Sequence, residues 1–351
     1  MHYSILRFDS DYLEGCLPEI LDALMATNLL QTPGYGEDLY CEEARGLIRS
    51  ACDAPDSEVH FLVGGTQTNA TVISAMLKPW QGVLCAQSGH INVHETGAIE
   101  HGGHKVLALP SSDGLLSAGQ VEEALAAHAA DPVHEHMVQP GMLYISFPSE
   151  KGTLYSKEEL EELSAVCRKF GVPLFLDGAR LGYGLASPLC QLTLPNIARL
   201  SDVFYIGGTK QGALFGEAVV FGRKGLCPDF RYAIKQNGGM LAKGRLLGIQ
   251  FRELFRNGLY LRAAAGAVQK ALRIRDALNR NGYELLVKSG TNQQFPIMNS
   301  AQIEFLRRRF SFEDWEPAGP GRTAVRFCTS WATTDEAVDE LIAALKQAAE
   351  I

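Results

Sequence analysis

Short apolar runs rich in Val, Ile, Leu and Phe alternate with helical periodicity through the middle of the chain. Continuous apolarity marks strands buried on both faces, and its alternation with helices predicts a mostly parallel sheet covered by helices. The predicted strands are HFLVGG from His60, GVLCAQ from Gly82, HKVLALP from His104, GMLYISF from Gly141, VPLFLD from Val172, DVFYIG from Asp202 and EAVVFG from Glu217. Helices fall between them: TQTNATVISAMLKPW (66–80) follows the first strand, and SKEELEELSAVCRKFG (156–171) precedes VPLFLD. The second carries both its ends in the sequence, with Ser156 and Glu159 as a capping box, Gly171 as the C-cap and Pro173 just beyond.

After KQNGGML the pattern turns helical over roughly 243–279, and the remainder reads as a strand-and-helix unit. The expected organisation is an N-terminal segment with a large α/β domain over 1–245, then a long linking helix and a small α+β C-terminal domain over 246–351. No internal repeat or low-complexity linker interrupts it.

A chain of 351 residues, 46% hydrophobic, buries a sizeable core. A formal net charge of −8 argues against binding a phosphate backbone, so no nucleic-acid partner is expected. No apolar run approaches the roughly 20 residues that span a bilayer, and MHYSILRFDSDYLEG has neither a basic n-region nor an apolar h-region. The expectation is a soluble, cytoplasmic protein with no membrane partner. Eight widely spaced cysteines without a CxxC read as reduced, buried thiols.

In open α/β sheets ligands gather beyond the carboxyl ends of the strands, and three polar constellations sit there. GGTQTN, Gly64 to Asn69, joins a strand to a helix; the amides of Gly65 and Thr66, with the Thr66 hydroxyl, suit an anion at the helix N-terminus. A plain Gly-Gly turn with a threonine cap would look the same. In PLFLDGARLGYG, Asp177 ends an entirely apolar run, where a carboxylate needs a partner: either Arg180, as a structural ion pair, or a bound cationic ring nitrogen. Lys210 ends the strand DVFYIG among glycines, an uncomfortable place for an ammonium. An anion-binding turn, a strand-end Asp and a strand-end Lys together meet the needs of pyridoxal 5'-phosphate, whose phosphate wants amides, whose pyridine nitrogen wants a carboxylate and whose aldehyde wants an amine. Four histidines, His90, His94, His101 and His104, crowd one segment, but HINVHE is not HExxH and no metal site is expected.

Ordered motifs extend this reading. YGED (Tyr35 to Asp38), GGTQTN, SGHINVHETG, DGARL, the TK pair Thr209–Lys210 with its Gly-rich turn, GGM (Gly238 to Met240) and VRFCTSW follow one another over nearly the whole chain. In that series the sequence resembles the low-specificity L-threonine aldolases within the pyridoxal-phosphate β-eliminating lyases of fold type I. The resemblance implies a PLP-dependent transferase-like large domain, with Lys210 as the Schiff-base lysine and Asp177 as partner of the pyridine nitrogen. It implies Gly65 and Thr66, with Thr209 beside the lysine, as cofactor-binding residues, and His90 stacked on the ring. Arg180 would lie near the phenolic oxygen and the substrate, and Arg326 would grip the substrate carboxylate. It implies retro-aldol cleavage of L-threonine or L-allo-threonine to glycine and an aldehyde, with β-elimination or another Cα-centred reaction as the alternative, in a homodimer or homotetramer with the site at the subunit interface.

Three positions depart from the family pattern. RFDS stands for an RSDT-like motif, putting Phe8 where a serine contacts substrate. PSEKG puts Glu150 near a family histidine. Leu241 replaces the arginine after GGM, with Lys235, Lys243 or Arg245 as stand-ins for the phosphate, from this chain or from a neighbouring subunit. The base for the β-hydroxyl is His90, a water or Glu150.

Overall fold

The computed structural model describes residues 5–351; Met1–Ser4, the start of the N-terminal segment, lie outside the described residues. Each of the seven predicted strands belongs to a single sheet, in the order Glu58–Leu62, Glu217–Phe221, Val203–Gly207, Leu174–Asp177, Gln139–Ser146, Gln81–Ala86, Val106–Leu109. The pairings are parallel except at Glu217–Phe221, which runs antiparallel to both its neighbours. That reversal has a use: Glu217 pairs with Gly207 and Leu62, so the first residue of this strand sits at the edge where the others end.

Alternate residues feed two cores. Leu174 and Leu176 join one apolar cluster and Phe175 the other, as Leu143 and Ile145 do against Met142 and Tyr144, because successive side chains of a strand leave on opposite faces. The helix Lys157–Phe170 has the capping box at Ser156 and Glu159 and ends at Gly171 in the left-handed region, φ 65°. The helix after the first strand spans Gly65–Met76, stopping before the predicted Trp80. Pro79 explains the stop: it lacks an N–H, and its ring would clash with the carbonyl four residues back.

The long helical stretch is two helices, Arg245–Phe255 and Leu259–Arg280. Asn257 (φ 54°) and Gly258 (φ 68°) turn the chain between them. The first helix lies against the large sheet through Leu247, Phe251 and Leu254. The second runs on to bury Ile274 and Leu278 in the C-terminal core with Met298, Val325 and Leu341. There Arg322–Cys328 is the central strand, flanked antiparallel by Glu313–Pro317, Pro296–Asn299 and Gln293–Gln294.

Phe8 belongs to this second core. Fully buried, it packs edge-on to Phe327 at 6.4 Å, while its backbone bonds to Ser311 and Cys328. It therefore cannot stand in for a substrate-contacting serine; of the residues that follow it, the Asp9 carbonyl accepts from Arg326 and the Asp11 carboxylate from Arg180. All eight cysteines are free thiols. Among the described residues no helix is long and apolar enough to cross a membrane.

Candidate active site

Strand ends and the loops beyond them border a cavity of about 550 Å³ lined by nine of the residues singled out from the sequence: Gly65, Thr66, His90, Glu150, Asp177, Arg180, Thr209, Lys210 and Arg326. Asp177 is the last residue of its strand and Lys210 lies just past Val203–Gly207. His90 opens a short helix after Gln81–Ala86. Arg326 arrives from the C-terminal domain, on the strand Arg322–Cys328. The cavity is thus walled by both domains.

Asp177 is buried and accepts four donors: Tyr144 Oη at 2.5 Å, Tyr205 Oη at 2.6 Å, Asn69 Nδ2 at 3.0 Å and the Ala179 amide at 2.9 Å. All four are N–H or O–H groups, an environment built for a carboxylate acting only as an acceptor. Of the two partners open for it in sequence, Arg180 is not the one taken. The Arg180 guanidinium turns instead to Asp11, Nε to Oδ2 at 2.7 Å and Nη2 to Oδ1 at 2.9 Å. Asn292 Nδ2 adds a third bond to Asp11 at 2.9 Å. Burial works against the charge of Asp11, but Arg180 and then Lys210 outweigh it and hold its carboxyl down at about 2.

Asn69 Nδ2 also reaches Glu95 Oε1, 2.8 Å away, and the same oxygen takes His90 Nδ1 at 2.7 Å. A hydrogen-bonded chain therefore runs from the partly exposed His90 through the buried Glu95 and Asn69 to Asp177. With Nδ1 committed to a carboxylate, the His90 ring keeps Nε2 as its other nitrogen, with no hydrogen-bond partner among the described residues. Glu150 Oε1 accepts from the Ser146 hydroxyl at 2.6 Å and from the His90 amide at 2.9 Å, while Oε2 is buried and unpartnered. Burial pushes its carboxyl up, with Asp177 adding to the effect against those two bonds.

The Lys210 amine has neither a hydrogen bond nor an ion pair with the described residues; Tyr12 offers a ring face at 5.9 Å. Burial, followed by the nearby Arg180 charge, pushes its ammonium down. The turn that carries it is held by Glu217, which accepts from the Gly208 amide at 3.1 Å and from the Thr209 hydroxyl at 2.8 Å. Thr209 also accepts from the Gly216 amide at 3.0 Å, so its hydroxyl is spent on the turn. Burial pushes the Glu217 carboxyl up to about 8.

Arg326 donates from Nη1 to Gln293 Oε1 at 3.1 Å and from Nη2 to the Asp9 carbonyl at 2.8 Å, and pairs with Glu313. The basic residues named as stand-ins for the missing arginine do not line this cavity. Arg245 is tied to the Leu30 and Asn28 carbonyls, and Lys235 lies 4.7 Å from the Tyr35 ring.

These residues fit pyridoxal 5'-phosphate. An unpartnered amine, an acceptor-only carboxylate and a helix N-terminus face one cavity. At Gly64 an added Cβ would meet nothing within 4 Å, so that backbone is open, whereas at Gly65 it would press to 3.2 Å from Tyr205 Oη, so only glycine fits there without a shift. The first-turn amides of Gly65–Met76 have no intrahelical acceptors.

Several functional neighbours escaped the sequence reading. Asn69, Glu95 and Glu217 lie inside quoted motifs but lack a spacing that marks them; Tyr144 and Tyr205 look like ordinary strand aromatics. Asp11 and Glu313 carry no local signal, because each acts on an arginine far away in sequence.

The β-eliminating lyase family matches residues 8–301. A low specificity L-threonine aldolase of Pseudomonas sp. (strain NCIMB 10558) is 30% identical over 343 residues, spanning 97% of each chain. The solved structure of Leishmania major threonine aldolase superposes with a TM-score of 0.95 at 44% identity, covering 98% of this chain and 99% of that one. An aspartate aminotransferase of Thermus thermophilus, 15% identical with a TM-score of 0.70 over 99% of this chain and 92% of that one, shares the fold alone. With a lysine, an aspartate and a glycine turn converging at the strand ends, and with the family match over most of its length, the chain belongs to the β-eliminating lyases of PLP fold type I.

Proposed function

We propose that this protein is a pyridoxal-phosphate-dependent lyase that cleaves L-threonine, L-allo-threonine and similar β-hydroxy amino acids to glycine and an aldehyde. The observation that carries the reading is the convergence on one cavity of Lys210, Asp177, His90, Arg180 and Arg326. It agrees with the threonine aldolases to which the chain is similar. Lys210 would hold the cofactor's aldehyde, Asp177 its ring nitrogen, His90 its ring face, Arg180 its phenolic oxygen, and the amides of Gly65 and Thr66 its phosphate. When bound, the cofactor supplies an electron sink for the pair released at Cα of an amino acid.

The chain's own residues choose the bond. Arg326 would grip the substrate carboxylate, Arg180 is held in place by Asp11, and the carboxylate's position would decide which Cα bond is broken. His90 Nε2 takes the β-hydroxyl proton, because Glu95 holds the ring in the tautomer that leaves this nitrogen free to accept. Glu150 orients His90 from behind: its carboxyl, pushed toward the protonated form by burial, accepts the His90 amide.

The working assembly is a homodimer or homotetramer in the cytoplasm. Leu21, Met25, Leu29, Leu30 and Leu39 are exposed apolar side chains of the N-terminal segment, of the kind a second copy would cover. Incubation of the holoenzyme with L-threonine and L-allo-threonine tests the reaction. Glycine with acetaldehyde supports it; 2-oxobutyrate with ammonia replaces it by β-elimination.

A further inference from the structure

Arg326 is buried, its side chain 9% exposed, and both its terminal nitrogens are occupied. Nε is buried without a partner, so the terminal nitrogens are what the guanidinium turns to its surroundings. Two of their acceptors, the Asp9 carbonyl and Gln293, belong to the protein wall. The third differs in kind. Glu313 is a carboxylate with a side chain 46% exposed, and it lines the cavity together with Arg326.

Its place is set by the sheet. Glu313 lies opposite Arg326 in the antiparallel ladder, and the register shifts one step later, between Asp314 and Glu316. Trp315 is the extra residue of that bulge, and its ring lies 5.2 Å from the guanidinium carbon. Bulges re-aim side chains, and here the bulge leaves an aromatic plate over Arg326 with one carboxylate at its open side. The pair can be read as plain neutralisation of a buried arginine. That purpose needs no carboxylate facing the cavity with nearly half its side chain in solvent, where screening makes an ion pair weak and easily exchanged.

We propose that Glu313 is an internal carboxylate that occupies Arg326 until the substrate's carboxylate displaces it, so that Glu313 sets the affinity for free α-amino acids. The proposal rests on the reading of Arg326 as the carboxylate-binding arginine. Glu313 and the substrate present the same group to the same N–H fork, and each cannot pair fully while the other does. Occupancy by Glu313 lowers the fraction of enzyme competent to bind and raises the apparent dissociation constant by the same factor. The exchange is a discrimination device as well. A ligand lacking a carboxylate cannot displace Glu313, whereas an α-amino acid can.

The test compares wild type, Glu313→Gln, Arg326→Gln and the double variant as holoenzymes. It reads KM and kcat for L-threonine and, by equilibrium dialysis, the dissociation constant of glycine. The expected result is that Glu313→Gln lowers both KM and the glycine constant about two- to fivefold, the release expected from a screened ion pair, with kcat moving less than KM. Glu313→Asp, which keeps the charge and withdraws it by one methylene, should fall between. In the Arg326→Gln background the Glu313 substitution should have no further effect. An unchanged or raised KM in Glu313→Gln, with or without a lower melting midpoint, overturns the proposal. An unchanged KM in Arg326→Gln removes instead the reading on which it rests, so the two failures are told apart.

Discussion

Arg180 closes a two-pronged ion pair on Asp11, at 2.7 and 2.9 Å, across 169 positions of sequence. Asp11 is therefore the residue that fixes Arg180 at the cavity wall. Asp11→Asn keeps the shape and removes the charge, leaving a buried guanidinium uncompensated. The expected cost is about 3 kcal/mol of stability, read by denaturant unfolding, with a fall in kcat/KM of about a hundredfold from the misplaced arginine. The acid limb supplies a second check. The folded carboxyl lies at about 2 against 3.8 unperturbed, so its contribution is fully present above pH 3.8 and is lost as pH falls through 2. The variant should lack that part of the acid destabilisation, and an identical acid limb would show that Asp11 is not the group responsible.

Replacing Lys210 by Ala should abolish the visible absorption band that appears when the apoenzyme takes up pyridoxal phosphate, and lower kcat by at least about a thousandfold. A variant that retains both the band and turnover would place the covalent attachment elsewhere.

Glu217 gives stability an opposite pH dependence. Its folded carboxyl titrates near 8 against 4.5 unperturbed, so between these values the folded state binds more protons than the unfolded one and stability falls as pH rises. In Glu217→Gln that fall should be removed, which thermal melts of the apoenzyme at intervals from pH 4.5 to 8 would reveal. A slope unchanged by the substitution would assign it to another group.

His90 and Glu150 separate by their responses. His90→Ala removes the proton acceptor and should lower kcat about a hundredfold or more. Glu150→Gln removes the carboxylate charge and keeps an acceptor for the His90 amide, so kcat should fall by about tenfold or less. Equal losses in the two variants would make His90 and Glu150 a single acting unit, and a larger loss in Glu150→Gln would make Glu150 the proton acceptor.

Much of this molecule is readable along the chain because the determinants are local. A run such as PLFLD is apolar on both faces wherever it sits, and Ser156 with Glu159 caps a helix without help from distant residues. The break at Asn257–Gly258, a dipeptide that accepts positive φ, is masked in the sequence by the helical pattern on either side. Sequence order placed Asp177, Lys210 and the glycine turn at strand ends, and the sheet then brought them to one edge.

What tertiary structure alone decided is which charge meets which. Arg180 stands three residues from Asp177 but pairs with Asp11, because Asp177 already has four neutral donors around it and a second buried carboxylate arrives from the N-terminal segment. Glu313 faces Arg326 through strand register, and Phe8 lies in the C-terminal core because the two residues before it, Leu6 and Arg7, pair as a short parallel strand with Phe310 and Ser311. Backbone propensities act over a few residues and leave a local imprint, whereas a buried charge takes whichever partner the packed chain delivers, at any separation.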